Sequence, residues 1–362
     1  MIGRLITGLL VLLSATGMAQ LVDSDQVVTI PVVVHVVYAN STQNISDAQI
    51  ESQIKVLNED FRRTNVDKIN TPSDFENVAA DSKIEFKLAT IDPDGAASTG
   101  ITRTSTTKTQ FVNDQITNSA TGGVNSWGAN YLNIWVSNLP DGLAGWANNS
   151  ATDSAVQGVI LDHAFFGTNG TVKSPYHLGR TATHEIGHWL GLKHLEGIGS
   201  CDNDDGIDDT PNQESSISGN TTTHTSCGSA DMVSNFMQLG DDEILNLFTT
   251  GQKEVMRAML FENYQALLQN GKRIVGLSEQ INASSFEVYP NPVTENHFHL
   301  THALPLDIDL HLTSLLGETL DVSLLKISEL EYEIRNPLSP GLYLLSFTSE
   351  NKYYQTKINL RF

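Results

Sequence analysis

Eleven consecutive residues, His184-Glu185-Ile186-Gly187-His188-Trp189-Leu190-Gly191-Leu192-Lys193-His194, constrain this chain more than any other stretch. They set three imidazoles and a carboxylate at spacings that one local geometry reconciles. A helix over residues 180–191 puts His184 and His188 one turn apart on one face, about 6 Å between β-carbons, so both rings can face one ion. Glu185 lies about 100° further round, placed to reach a water at the ion and not the ion itself. Gly191 has no β-carbon, which lets the backbone leave the helix through a left-handed turn and bring His194 back as third ligand. Three protein ligands leave a fourth position open for water, as in catalytic zinc sites and unlike structural ones. The pattern predicts zinc-dependent peptide hydrolysis, with Glu185 as general base. The competing reading is an amphipathic helix with incidental histidines. It accounts for Ile186, Leu190 and Leu192 as a core stripe but leaves three imidazoles without a task.

The N-terminus places that chemistry outside the cytoplasm. Arg4, the apolar run Leu5–Leu13, and the small residues Gly17 and Ala19 read as a signal peptide over residues 1–19, too short for a membrane anchor. No other apolar run is long enough to span a bilayer, so no transmembrane segment is expected. A net charge of −21, from 42 acidic and 21 basic residues, argues against nucleic-acid partners and favours cations or basic substrates. The acid is uneven. From Leu195 to Gln252 there is no Lys or Arg, yet Glu196, Asp202, Asp204, Asp205, Asp208, Asp209, Glu214, Asp231, Asp241, Asp242 and Glu243 all fall there. Bound metal or a negatively charged cleft is one reading, a solvated acidic loop the other.

Cys201 and Cys227 are the only cysteines, and export favours their pairing. In the chain-entropy model the closed loop is worth about 3 kcal/mol. Free thiols or zinc ligands would need partners at ligand spacing that the loop lacks. Asp202-Asn203-Asp204-Asp205-Gly206-Ile207-Asp208-Asp209-Thr210 offers hard oxygen ligands and a turn glycine, the chemistry calcium selects, though no glutamate closes it as in an EF-hand.

A catalytic domain over residues 20–270 accommodates these features, with a short prosegment at 20–28. Val27–Val37 predicts a central strand, Ser46-Asp47-Ala48-Gln49 a capping box, and Ile50, Ile54, Leu57 and Phe61 one face of the helix it opens. Ile84–Ala89, Tyr131–Val136 and Gly158–Leu161 read as further strands, and Ala96–Gly123 as loop and hairpin. Thr249–Gln252 caps another helix, which carries Met256, Met259, Leu260 and Leu267 inward. The fold class expected is α/β (α+β), a twisted mixed sheet with a zinc-binding helix. Residues 271–285 read as linker and 286–362 as a small all-β sandwich, from the alternation in Phe286-Glu287-Val288 and Leu342–Phe347 between turns at Pro290-Asn291-Pro292 and Pro340-Gly341.

The extended zinc motif resembles that of the metzincin peptidases. Ile30-Pro31-Val32-Val33-Val34-His35-Val36-Val37, Gly100-Ile101-Thr102-Arg103 and Asp209-Thr210-Pro211 resemble the pappalysin family among them, in its bacterial cytophagalysin branch, over nearly all of residues 27–268. That resemblance implies that Met237, in Asn235-Phe236-Met237, is the Met-turn methionine packed under the zinc site. It implies a cysteine pair around a calcium loop, with ligands at Asp205, the Ile207 carbonyl and Thr210. It also implies that Asp241, Asp242 and Glu243 build the pocket for the side chain after the scissile bond, hence a preference for Arg or Lys there. Relatives commonly carry a tyrosine, thought to stabilise the oxyanion, where this chain has Leu239. Some keep the zymogen silent with a prosegment cysteine. This chain has none to spare, which leaves Asp23 or Asp25 to cover the metal, or an ordinary flexible terminus.

The resemblance further implies that Gly158–Leu161 receives the substrate as an added antiparallel strand. Val288-Tyr289-Pro290-Asn291-Pro292, Leu315-Leu316-Gly317, Gly341-Leu342-Tyr343 and Lys357-Ile358 resemble the C-terminal sorting domain of type IX secretion. This implies the secretion machinery as a partner and passage through the periplasm of a Gram-negative bacterium to the surface or medium. An accessory sandwich is the alternative. His297, His299, His302 and His311 read as strand or surface residues, and His35 and His163 as structural. The expected function is therefore a secreted zinc endopeptidase acting on proteins or peptides, with zinc and calcium as cofactors. The alternative is a surface adhesion or binding protein that retains the fold, for which Leu239 is the argument.

Overall fold

The structure, a computed structural model, describes residues 27–140, 142–148, 153–196, 200–274, 288–300, 310–314, 320, 324–328, 330–335, 338–349 and 352–361. The signal peptide, Asp23 and Asp25, most of the expected linker, Leu315-Leu316-Gly317 and His302 lie outside them. The chain divides into two units, at residue 269.

The first unit is built on a six-stranded sheet. Its strands are β1 (Val28–Tyr38), β2 (Ile84–Leu88), β3 (Ile101–Ser105), β4 (Leu132–Ser137), β5 (Gly145–Asn148) and β6 (Gly158–Asp162), in the order β2-β1-β4-β6-β5, with β3 also paired to β1. All pairings are parallel except β5 with β6. β1 is buried on both faces, which explains why it reads as a continuous β-branched run. Pro31 is tolerated there because pairing with β4 starts only at Val32. One face of the sheet, with Val32, Val34, Ile134, Val136, Val159 and Leu161, packs on the helices. On the other, Val37, Trp135 and Ile160 are covered by Phe111 and Ile116.

Two expectations are corrected here. β6 is internal, covered by β4 on one side and β5 on the other, so Gly158–Leu161 has no free edge for an added strand. Ala96–Gly123 contains β3 and two 3₁₀ turns. Neither β3 nor β5 carries an apolar alternation, and each owes its strand state to its neighbour in the ladder.

Ser46 caps the helix Asp47–Phe61 by accepting from the Gln49 N–H. The reciprocal half of the box is absent, because Gln49 Oε1 instead accepts from the Thr171 N–H at 3.1 Å, while its Nε2 donates to the carbonyls of His163 and Phe166 at 3.1 and 2.8 Å. That contact ties the first helix to the loop leading into the motif helix, Arg180–Trp189. Thr249 and Gln252 form a full capping box at the helix Thr250–Asn263. A further helix, Gln265–Ile274, runs four residues into the segment read as linker.

The second unit holds two antiparallel sheets around one core of Val288, Val293, Phe298, Leu300, Leu312, Tyr332, Ile334, Leu345, Ile358 and Leu360. His297, His299 and His311 sit on its strands. Among the described residues no helix is long and apolar enough to cross a membrane.

Candidate metal centre

The motif helix ends as its glycine requires. Gly191 takes φ +92°, the Leu192 N–H bonds back to the Gly187 carbonyl at 3.0 Å, and the Gly191 N–H bonds to that of His188 at 2.9 Å. This is a Schellman closure, and it turns the chain so that His194 faces the helix. His184 Nε2 then lies 3.0 Å from His188 Nε2 and 3.1 Å from His194 Nε2.

Each ring is oriented through its other nitrogen. His184 Nδ1 donates to the Phe236 carbonyl at 2.8 Å, His188 Nδ1 to the Leu192 carbonyl at 2.9 Å, and His194 Nδ1 faces Glu196 Oε1 at 3.1 Å. With the protons on Nδ1, three Nε2 lone pairs converge with nothing to donate to one another, a donor set that calls for a cation. Separations near 3 Å match the edges of a tetrahedron around zinc at a Zn–N distance of about 2.0–2.1 Å. The residues fit the ion. Among the described residues these histidines form the only cluster of three or more His, Cys, Asp or Glu able to hold a metal. Burial, with the two neighbouring rings, holds the His184 imidazole down to about 3, the neutral form a ligand must have. Glu196 raises His194, chiefly through its hydrogen bond.

Glu196 escaped the sequence reading as a partner, although it stands two residues past the third histidine. The carbonyl of Phe236, directly before Met237, escaped it too. Both orient ligands and so decide which nitrogen is presented.

Glu185 is half-buried, and desolvation pushes its carboxyl up to about 7. It lies against β5, where a β-carbon built on Gly145 would come within 3.3 Å of Glu185 Cγ. Met237 is fully buried beneath the motif helix, its sulfur against Gly187.

Cys201 and Cys227 are joined, with Cα atoms 5.5 Å apart. In the loop they close, the expected calcium ligands come together. Thr210 Oγ1 donates to Asp205 Oδ1 at 2.8 Å or the Ile207 carbonyl at 2.7 Å, while Asp205 Oδ2 is buried with no hydrogen-bond partner among the described residues. Asp209 turns away, its carboxylate accepting from Thr249 Oγ1 and the Gly251 N–H.

The acidic block is not one cleft. Glu196 serves His194, Asp231 accepts from His224 Nδ1 and Ser226, and Asp209 caps the helix Thr250–Asn263. Asp242, expected in a specificity pocket, is 1% exposed. Its Oδ2 accepts from the Leu178 N–H at 2.7 Å and the Arg180 N–H at 3.4 Å, capping the motif helix where Gly179 has no side chain to do so. Burial pushes the Asp242 carboxyl up to about 6 against those N–H groups and the Arg180 charge. Asp241 is half-buried and Glu243 exposed. Leu239 is 40% exposed. Arg180 anchors the same helix end through ion pairs with the buried Asp60 and with Asp67 at 2.9 Å. His35 and His163 are buried away from the histidine cluster, bonded to Thr102 and Asn133 and to Thr171.

Comparison with known proteins places these features in context. A family model described as pregnancy-associated plasma protein-A matches residues 107–261, and one for the secretion-system C-terminal sorting domain matches residues 287–361. Mature mirolysin of Tannerella forsythia, solved in complex with a cleaved peptide, is 47% identical, with a TM-score of 0.64 over 69% of this chain and 99% of that one. A promirolysin variant from the same organism is 46% identical, with a TM-score of 0.65 over 71% and 89%. An extracellular metalloprotease of Pyricularia oryzae is 30% identical over 265 residues, 70% of this chain and 81% of that protein.

Proposed function

Because this chain belongs to the pappalysin family of metalloendopeptidases and carries a secretion sorting domain, we propose that it is a secreted zinc endopeptidase with Glu185 as general base. The observation that carries the reading is the convergence of three Nε2 atoms, each ring held through Nδ1, with a half-buried carboxylate alongside. His184, His188 and His194 would hold the zinc. When bound, the ion supplies Lewis acidity, acidifying a water and offsetting the negative charge that develops on the peptide carbonyl.

Glu185 takes the proton of the attacking water and returns it to the leaving amine. Phe236, Leu192 and Glu196 hold the three rings through Nδ1, which leaves each Nε2 to face the ion. β5, last in the sheet and antiparallel to its neighbour, is placed to align a peptide as a further strand. Asp241, Asp242 and Glu243 supply negative charge for an Arg or Lys side chain after the scissile bond.

Asp205, the Ile207 carbonyl and Thr210 hold calcium in this reading, supported by the partnerless buried Asp205 Oδ2. Residues 1–19 direct export, residues 20–28 are a short prosegment, and residues 286–362 pass the chain to a type IX machinery across a Gram-negative periplasm.

Hydrolysis of labelled casein by wild type and Glu185→Ala, each with and without chelator, tests the core of the reading. Activity lost with the carboxylate and with chelation is expected, and equal rates in the two proteins would remove it. A cleavage library scored by mass spectrometry tests the pocket, where only apolar residues after the cut would reject the basic preference.

A further inference from the structure

We propose that Gly145 is a positioning residue for Glu185: the empty place where its side chain would stand is the slot that holds the base under the substrate-aligning strand. The proposal rests on Glu185 as general base and goes beyond it by assigning its position to a residue outside the zinc motif.

The argument is one of space. Gly145 does not lie in the left-handed region, so its conformation is open to any residue. A β-carbon there would meet the Ile160 carbonyl oxygen at 2.7 Å, Leu161 Cδ2 at 2.7 Å and Glu185 Cγ at 3.3 Å. The first of these is backbone in the β5–β6 ladder, where Gly145 pairs with Leu161 and Trp146 with Ile160. The strand has little room to retreat, because its opposite face is held from the far side. Trp146 Nε1 donates to Asp114 Oδ1 at 3.3 Å and Asn148 Nδ2 to Asp114 Oδ2 at 3.4 Å. Clamped between β6 and Asp114, β5 offers a rigid wall, and an added methyl presses on the two side chains that stand against it, Leu161 and Glu185.

The consequence is a coupling between the strand that aligns a peptide and the group that activates the water. A glycine lets the carboxylate stand directly beside the strand, so a peptide laid along β5 meets a base already in place. Any larger residue at 145 separates the two.

The test is Gly145→Ala in the full chain, read with fluorescein-labelled casein. The expected result is kcat lower by about 10- to 100-fold with KM within about threefold and one zinc per chain by elemental analysis. If the glycine only supports the strand, KM rises while kcat holds, and that outcome overturns the proposal, as does unchanged activity. Thermal melts of Gly145→Ala, Glu185→Ala and the double variant close the cycle. Removing Glu185 Cγ relieves the contact, so Gly145→Ala must lower Tm less in the Glu185→Ala background than in wild type; equal shifts would overturn the proposal. That cycle needs no activity, and so it separates failure of the Gly145 contact from failure of the base, which shows as full activity in Glu185→Ala. Should Gly145→Ala not fold, the same pair of measurements is made with Leu161→Ala added, which clears the second contact.

Discussion

Met237 lies beneath Gly187 of the motif helix: a β-carbon on that glycine would sit 2.5 Å from the Met237 sulfur and 3.4 Å from its terminal methyl. Alanine at 187 improves helix propensity by up to about 1 kcal/mol, but it pushes the methionine away and with it Phe236, whose carbonyl orients His184. Overpacking of this kind costs about 1–3 kcal/mol, and disturbing a ligand's hydrogen-bond partner lowers metal affinity about 10- to 100-fold. Gly187→Ala is therefore expected to lower Tm and weaken zinc binding in a competition titration, while Met237→Leu, close in volume, stays near wild type. Unchanged zinc affinity in Gly187→Ala would show that the sulfur moves aside freely.

A second expectation concerns acid stability. His35 is fully buried, with Nδ1 2.8 Å from Thr102 Oγ1, Nε2 3.2 Å from Asn133 Oδ1, and its ring stacked 5.4 Å from that of Trp135. Burial lowers its pKa from 6.5 to about 4, the Asn133 bond only partly opposing. Between those values the unfolded chain binds a proton that the folded chain refuses. The contribution is whole above about pH 6.5 and is lost as pH falls through about 4, a change of about 3 kcal/mol. Urea unfolding of wild type and His35→Gln from pH 7.5 to 4.5 should show wild type more stable at neutral pH and the gap closing in acid. Parallel curves would contradict this.

How far the sequence foretold these features depends on the range of the interaction. The three histidines and Glu185 were legible because helix geometry and one glycine place them within eleven residues. β1 and the capped helix Thr250–Asn263 were legible from a β-branched run and a capping box. β5, Gly-Trp-Ala-Asn, was not, because its strand state comes from pairing with β6. β6 itself was misread as an edge, although five consecutive buried residues are the pattern of an internal strand. The capping role of Asp242 was not legible for a related reason. Its partners, Leu178 and Arg180, stand more than sixty positions away, and no local spacing announces them.

Calcium binding is read at Asp205. A buried carboxylate oxygen without a hydrogen-bond partner beside a carbonyl and a hydroxyl is destabilising until a cation meets it. Protein stripped with chelator and restored with zinc alone should gain Tm on calcium addition, corresponding to about 3 kcal/mol at a hundredfold excess over Kd. Asp205→Ala should abolish that gain while leaving the Cys201–Cys227 bond intact. A calcium titration that leaves the wild-type melt unmoved would remove the site.

Asp242 is expected to serve the motif helix first and the substrate second, and two substitutions separate the roles. Its Oδ2 is the cap that Gly179 cannot supply, so Asp242→Ala leaves the Leu178 and Arg180 N–H groups without their acceptor at a cost of about 1–2 kcal/mol. Asp242→Asn keeps a carbonyl oxygen in place and should melt within about 1 kcal/mol of wild type. Charge is what a basic side chain after the scissile bond would feel, and the amide lacks it. Asp242→Asn should therefore lose most of any preference for Arg or Lys in a cleavage library while keeping its stability, whereas Asp242→Ala loses both. Equal destabilisation by the two would assign the stability to the negative charge at the helix N-terminus and not to the hydrogen bonds.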